Sequence, residues 1–256
     1  MKCFFWLINW SMKMRCVALK NALKRRIKNA KETSTHKTIL LSASMPQKRL
    51  LPKYKALHVK SLAMVEKVYL VRHGHIDTGG EKRYVGQSDI PLDALGVQQA
   101  QQLADSFKTI AVDTVFTSPL RRCVQTTEIL GKAYQVVEAF QEINMGAWEN
   151  RPIERVKAYD SIAFEERGRD IEHFTPPQGE SFGALSQRVL NAFDTLVERY
   201  HGTVLIVAHA GVNRVILREL LGIPFKDIFS IEQAYACINE LVKTRHDKVW
   251  KYQKIV

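Results

Sequence analysis

The sequence predicts a three-layer α/β/α sandwich with a mostly parallel central sheet over residues 64–256, and three observations carry that expectation. Val68-Tyr69-Leu70-Val71 and Thr203-Val204-Leu205-Ile206-Val207-Ala208 are apolar, β-branched runs closed by glycine, the pattern of buried strands. Segments of helical spacing separate the strand-like runs, and strands alternating with helices build a parallel sheet between helical layers. Both runs end alike, in Arg72-His73-Gly74 and His209-Ala210-Gly211. A histidine therefore stands at the carboxyl end of each strand, where ligands bind in open α/β sheets.

In chain order, residues 1–63 form a basic head. Cys3 to Ile8 is an apolar run with one preceding Lys and no small-residue cleavage site, unlike a secretory signal. Cys16, Leu19, Leu23, Ile27 and Ala30 recur at three- and four-residue spacings among Lys20, Lys24, Arg25, Arg26, Lys28 and Lys31, a basic amphipathic helix suited to an acidic surface. A polar, basic segment without a core of its own is expected to be poorly ordered. Met64-Val65-Glu66-Lys67 also reads as a start in its own right, which would make the head an upstream mis-start.

After the first strand comes a polar, glycine-bearing loop, Asp77 to Asp89, then a helix from about Val97 to Phe107 with Ala100, Leu103, Ala104 and Phe107 inward. Asp113 to Thr117 is the second strand. Ser118-Pro119 is expected to cap and open a helix that carries Arg121 and Arg122. Tyr134 to Ala139 is a third strand, ending near Glu142, and residues 152–172 are a charged helical segment covering the site. Pro176-Pro177-Gln178-Gly179 breaks that segment. A long helix then runs from Glu180-Ser181 to about Tyr200 with Leu185, Val189, Ala192, Phe193 and Leu196 inward. The second histidine strand leads into a helix over Val212 to Leu221, and Ala236 to Lys243 pairs with Lys248 to Lys254 as a hairpin through His246-Asp247.

Composition narrows the function classes. The net charge of +12 is uneven: 15 of the 38 Lys+Arg and one of the 26 Asp+Glu lie in residues 1–63, leaving 23 basic and 25 acidic residues in the body. The basic balance thus belongs to the head, and no nucleic-acid partner is expected for the body. Cys3, Cys16, Cys123 and Cys237 show neither a Cys-x-x-Cys nor a metal-ligand spacing, so a reducing cytoplasm, no disulfide framework and no metal are expected. No apolar run approaches the length of a membrane span.

The motifs have a common denominator. Arg72-His73-Gly74, the late His209-x-Gly211, Ser118-x-Leu120-x-Arg122 and the Glu142-x-x-x-Gly146-x-Trp148-Glu149 stretch together resemble the histidine phosphatase superfamily, the phosphoglycerate-mutase-like enzymes, over about Met64 to Val256. The resemblance implies that His73 is a nucleophile forming a phosphohistidine and that Arg72, Arg122 and His209 bind phosphoryl oxygens. It makes Glu142 the proton donor, with Glu149 as a second candidate. No cofactor is implied. Ser181 in Gly179-Glu180-Ser181 is either a helix cap or a site residue. The chain departs from the family at His75, Ile76 and Gly79, where an acidic residue, Thr or Ser, and a phosphate-binding Asn are usual. The lost Asn leaves binding to backbone N–H groups near Gly79 and Gly86.

Only 37 positions separate Glu142 from Gly179, without the longer insertion of the mutases, and Tyr84-x-Gly86-x-x-Asp89-x-Pro91-Leu92 looks like the alpha-ribazole phosphatase and broad-specificity phosphatase branch. The implied activity is hydrolysis of a small phosphorylated metabolite, alpha-ribazole phosphate being one candidate. Mutase-type phosphoryl transfer and a catalytically silent binding module of the same fold are the alternatives. Oligomeric state is left open.

Overall fold

The computed structural model describes residues 64–243 and 249–255, so the expectations for residues 1–63 and for the His246-Asp247 turn lie outside the described residues. The chain runs β1 (Val65–Arg72), β2 (Arg83–Tyr84), α1 (Ala94–Ser106), β3 (Thr114–Thr117), α2 (Arg121–Ile129), β4 (Gln135–Val136), β5 (Arg151–Pro152), α3 (Ile153–Tyr159), α4 (Ser161–Arg169), α5 (Phe182–Arg199), β6 (Gly202–Ala208), α6 (Ala210–Leu221), β7 (Ile238–Lys243) and β8 (Trp250–Lys254). Six of these strands form one sheet in the order β4-β3-β6-β1-β7-β8. The first four are mutually parallel, and β7 and β8 add an antiparallel edge. No helix among the described residues is long and apolar enough to cross a membrane.

The continuous apolar runs are explained by burial on both sheet faces. Successive side chains of a strand point to opposite faces, so Val68, Leu70, Phe116, Val204 and Ile206 pack with Leu185, Val189, Phe193, Val212 and Ile216 of α5 and α6. Tyr69, Val71, Val115, Leu205 and Val207 pack on the other side with Leu103 and Phe107 at α1 and with Cys123 of α2. This is the expected three-layer sandwich. β1 and β6 are neighbours, with Arg72 paired to Ala208, so the two strands deliver His73 and His209 side by side.

Several boundaries differ from the sequence reading, each for a local reason. The helix after β3 starts at Arg121, with Leu120 at its cap position and no side-chain cap, because the Ser118 hydroxyl is turned instead to His209 Nε2 at 2.7 Å. α1 starts three residues earlier than expected because Asp93 caps it, accepting from Gly96 N–H; Leu95 inside this first turn is 47% exposed and so leaves no apolar signal. The third strand shrinks to Gln135–Val136, since the chain then turns through a 3₁₀ turn, Glu138–Phe140, that buries Phe140. The charged segment splits at Asp160, which leaves helical geometry and accepts the Trp148 indole N–H at 2.9 Å. Within the loop from Asp77 to Asp89, Arg83–Tyr84 pairs antiparallel with Arg151–Pro152 as a small second sheet.

Candidate active site

The carboxyl ends of β1, β3 and β6 converge on one corner. His73 follows β1 directly and is 3% exposed. Its Nδ1 lies 2.7 Å from the Gly74 carbonyl, which can only accept; Nδ1 therefore carries the proton and Nε2 keeps its lone pair. Burial, reinforced by the charges of Arg122 and Arg72, holds the His73 ring well below its ordinary pKa, so it is neutral at pH 7.

His209 lies 5.2 Å from His73, ring centre to ring centre, and is completely buried. Arg122 Nε donates to its Nδ1 at 3.2 Å, and the proton on Nε2 faces Ser118 Oγ at 2.7 Å. Desolvation, followed by the charge of Arg122, likewise drives its pKa well down. Both ring nitrogens are thus engaged by protein groups, and His209 sits one layer behind the cavity surface.

Arg122 is 1% exposed and pinned by two carbonyls, Nη1 to Ser88 O and Nη2 to Gly86 O, each at 2.7 Å. Gly86 thus serves the site through its carbonyl. Its own position is set by Glu149, whose Oε1 would lie 2.1 Å from a Cβ at residue 86, where φ is +51°. Glu149 accepts from the N–H groups of Gln87, Ser88 and Met145 and from the Ser88 hydroxyl, and so ties the loop that holds Arg122 to the segment that carries Glu142. Arg121 takes no part in the corner; its N–H donates to Asp89 Oδ1.

Arg72 stacks on the Tyr235 ring, with Cζ 3.7 Å from the centroid, and donates through Nη1 to Gln233 O at 2.5 Å. Its buried Nε has no hydrogen-bond partner among the described residues. Glu142 stands across the corner, where Oε2 accepts from Gly211 N–H and Oε1 from its neighbour Ile143 N–H, both at 2.9 Å. A Cβ on Gly211 would come within 2.1 Å of Glu142 Oε1, so the first turn of α6 must be bare for the carboxylate to reach it.

Arg72, His73, Arg122 and Glu142 all line a cavity of about 1000 Å³. Its outer wall carries Arg167 and Arg214, neither of which forms an ion pair among the described residues. Arg167 lies 5.3–5.9 Å from the centres of the Tyr84, Phe182 and Phe229 rings. Gly79 contributes differently from what the sequence suggested: its N–H donates to Asp77 Oδ1 at 2.7 Å. Ser181 caps α5, accepting from Ala184 N–H, which resolves its two readings in favour of the cap. Among the described residues no group of three or more His, Cys, Asp or Glu is placed to hold a metal ion.

The sequence reading missed Arg188, which grips both Glu180 oxygens and donates to the carbonyls of Ala139, Gln141 and Glu142. A signal for it existed, since an arginine three residues after Leu185 falls inside the apolar stripe of α5. Gln233 and Tyr235 come from the irregular stretch before β7, where no periodicity could mark them.

An α/β/α sandwich that gathers two histidines, two arginines and a carboxylate over the ends of parallel strands has the architecture of the phosphoglycerate-mutase-like proteins. The model of the histidine phosphatase superfamily (branch 1) matches residues 68–255, and the chain belongs to that family. It is 36% identical over 168 residues to the probable phosphoglycerate mutase GpmB of Klebsiella pneumoniae, covering 61% of this chain and 75% of that protein. The corresponding protein of Proteus mirabilis is 34% identical over 166 residues, with the same coverage. Among solved structures, the alpha-ribazole phosphatase of Shigella flexneri superposes with a TM-score of 0.68 at 26% identity, over 74% of this chain and 95% of that one.

Proposed function

We propose that this protein is a phosphatase that hydrolyses a small phosphomonoester through a phosphohistidine on His73. The observation that carries the reading is the neutral His73 ring, fixed by Gly74 O so that Nε2 keeps its lone pair, beside an Arg72 whose buried Nε has no partner among the described residues. A phosphoryl oxygen is the acceptor that such a donor lacks. In the first step His73 Nε2 attacks phosphorus and the bond to the leaving oxygen breaks, with Glu142 giving its proton to that oxygen. In the second step water attacks the phosphohistidine, loses a proton to the Glu142 carboxylate and breaks the P–N bond. Arg72 and Arg122 neutralise the charge that shifts onto the equatorial oxygens, which is the main work of a phosphoryl-transfer site.

Hydrolysis rather than return to an acceptor is supported by the short cover, two brief helices between Glu142 and Gly179, which leaves the cavity open to water. The alternative, phosphoglycerate mutation, draws on the 36% identity to a protein bearing that name. The distinguishing experiment follows 4-nitrophenyl phosphate, alpha-ribazole phosphate, 2-phosphoglycerate and 3-phosphoglycerate with chelator present. Release of inorganic phosphate undiminished by chelator is the expected result. Interconversion of the phosphoglycerates faster than phosphate release would establish the mutase, and activity that depends on added divalent ion would overturn the mechanism.

A further inference from the structure

This inference rests on the reading of the corner as a phosphate site and concerns His75, two residues beyond His73. Its backbone is fixed on both sides: the N–H donates to Gln99 Oε1 at 2.8 Å, and the carbonyl accepts from Asp93 N–H at 3.3 Å. Its ring nitrogen Nδ1 lies 2.5 Å from Asp93 Oδ2. Asp93 is itself immobilised, because Oδ1 takes Gly96 N–H at 2.8 Å as the cap of α1. Burial works to raise the Asp93 carboxyl, but the hydrogen bonds from Gly96 and His75 outweigh it and hold the group below its ordinary value. Asp93 is therefore a carboxylate at neutral pH, and Nδ1 is the His75 nitrogen that carries a proton towards it.

The ring does more than satisfy Asp93. It sits edge-on to Tyr235 with centroids 4.8 Å apart; the same Tyr235 ring is 5.6 Å from His73 and lies beneath the Arg72 guanidinium. His75, Tyr235, Arg72 and His73 are one contiguous cluster, and all four line the cavity. The His75 side chain is 35% exposed, so a ligand entering the cavity can reach it. Its Nε2 has no hydrogen-bond partner among the described residues, and the Gly79 N–H is already given to Asp77.

We propose that His75, held by Asp93, is a further phosphate-binding residue: with Nδ1–H given to Asp93, Nε2 is left to share a proton with a non-bridging phosphoryl oxygen in the cavity that His75 and His73 both line. A histidine at a position where the chain departs from its family then joins Arg72 and Arg122 in holding phosphate. Asp93 sets the ring's orientation, and the bond, made to a charged oxygen, is charge-assisted.

The test is calorimetric binding of inorganic phosphate to the full chain and to His75→Leu, His75→Gln and Asp93→Asn. His75→Leu should weaken binding roughly 10- to 100-fold, the worth of one hydrogen bond to a charged group. His75→Gln, which keeps a donor of similar reach, should recover part of the loss. Asp93→Asn keeps a helix cap of equal quality and should still weaken binding severalfold. KM for 4-nitrophenyl phosphate should rise in step while kcat changes less. Binding by His75→Leu within twofold of wild type overturns the proposal, and if that variant fails to fold, wild-type affinity in Asp93→Asn overturns it. No phosphate binding by the wild-type chain would sink the phosphatase reading and this proposal together, whereas tight binding unaffected by either substitution sinks the proposal alone.

Discussion

The role proposed for His73 needs an uncharged ring, and its surroundings keep it so. Desolvation is the largest cause, and the two arginines that would hold phosphate add to it. His209 is subject to the same two influences. This has a consequence for stability. In the unfolded chain both rings take up protons near pH 6.5, whereas in the fold they resist protonation. The stability they allow is fully present above about pH 6.5 and is lost as the pH falls below it, by up to about 1.4 kcal/mol per pH unit for each ring. Melting curves at pH 7.0 and 5.5, above the main carboxylate range, should show a clear drop in Tm, and His209→Asn should reduce that drop by about half. An unchanged Tm across the interval would mean that the rings are protonated in the fold. Both histidines were legible in the sequence, because each ends an apolar strand. The tautomers were not, since they depend on Gly74 O, Arg122 and Ser118, partners that come together only in three dimensions.

At the scale of elements, the site depends on how segments without regular structure are tied down. The stretch carrying Glu142 is held by Arg188 from α5 and by Gly211 N–H from α6, and Glu149 binds it to the loop that pins Arg122. Gly211→Ala isolates one of these ties. Its new Cβ meets the end of the Glu142 side chain, which can swing away, and alanine suits a helix better than glycine. Tm should stay constant or rise slightly. kcat for alkyl phosphates should fall roughly 10- to 100-fold, with a smaller fall for aryl phosphates, whose leaving group needs little protonation. Equal losses on both substrate types would show that Glu142 is not the proton donor. The sequence showed β1, β6, α5 and α6 clearly, since each carries a continuous apolar run or a repeated apolar spacing. It misplaced the start of α1, the cap of α2 and the end of β4, where one side chain decides: Asp93, Ser118 and Phe140 each answer to a partner distant in sequence or to burial, not to local propensity.

For the whole molecule, the sheet and both helical layers among the described residues are built from residues 65–254, with the family match over 68–255. The charge imbalance lies outside them, in residues 1–63. Deleting residues 1–63 should therefore leave kcat/KM within about twofold and shift Tm by less than about 2 °C. A larger loss of either would make the head part of the folded unit. The α/β/α class was legible because strands buried on both faces write continuous apolar runs into the sequence. The irregular stretch before β7 writes nothing comparable, so Gln233 and Tyr235 emerged only with the fold. The central claim is the covalent step on His73, and it is tested most directly by rapid quenching of the wild-type chain and of His73→Ala with phosphate-labelled 4-nitrophenyl phosphate, followed by mapping of the label. Acid-labile, base-stable label on His73 in the wild type and none in the variant is the expected result; full turnover by His73→Ala, or label on another residue, would contradict it.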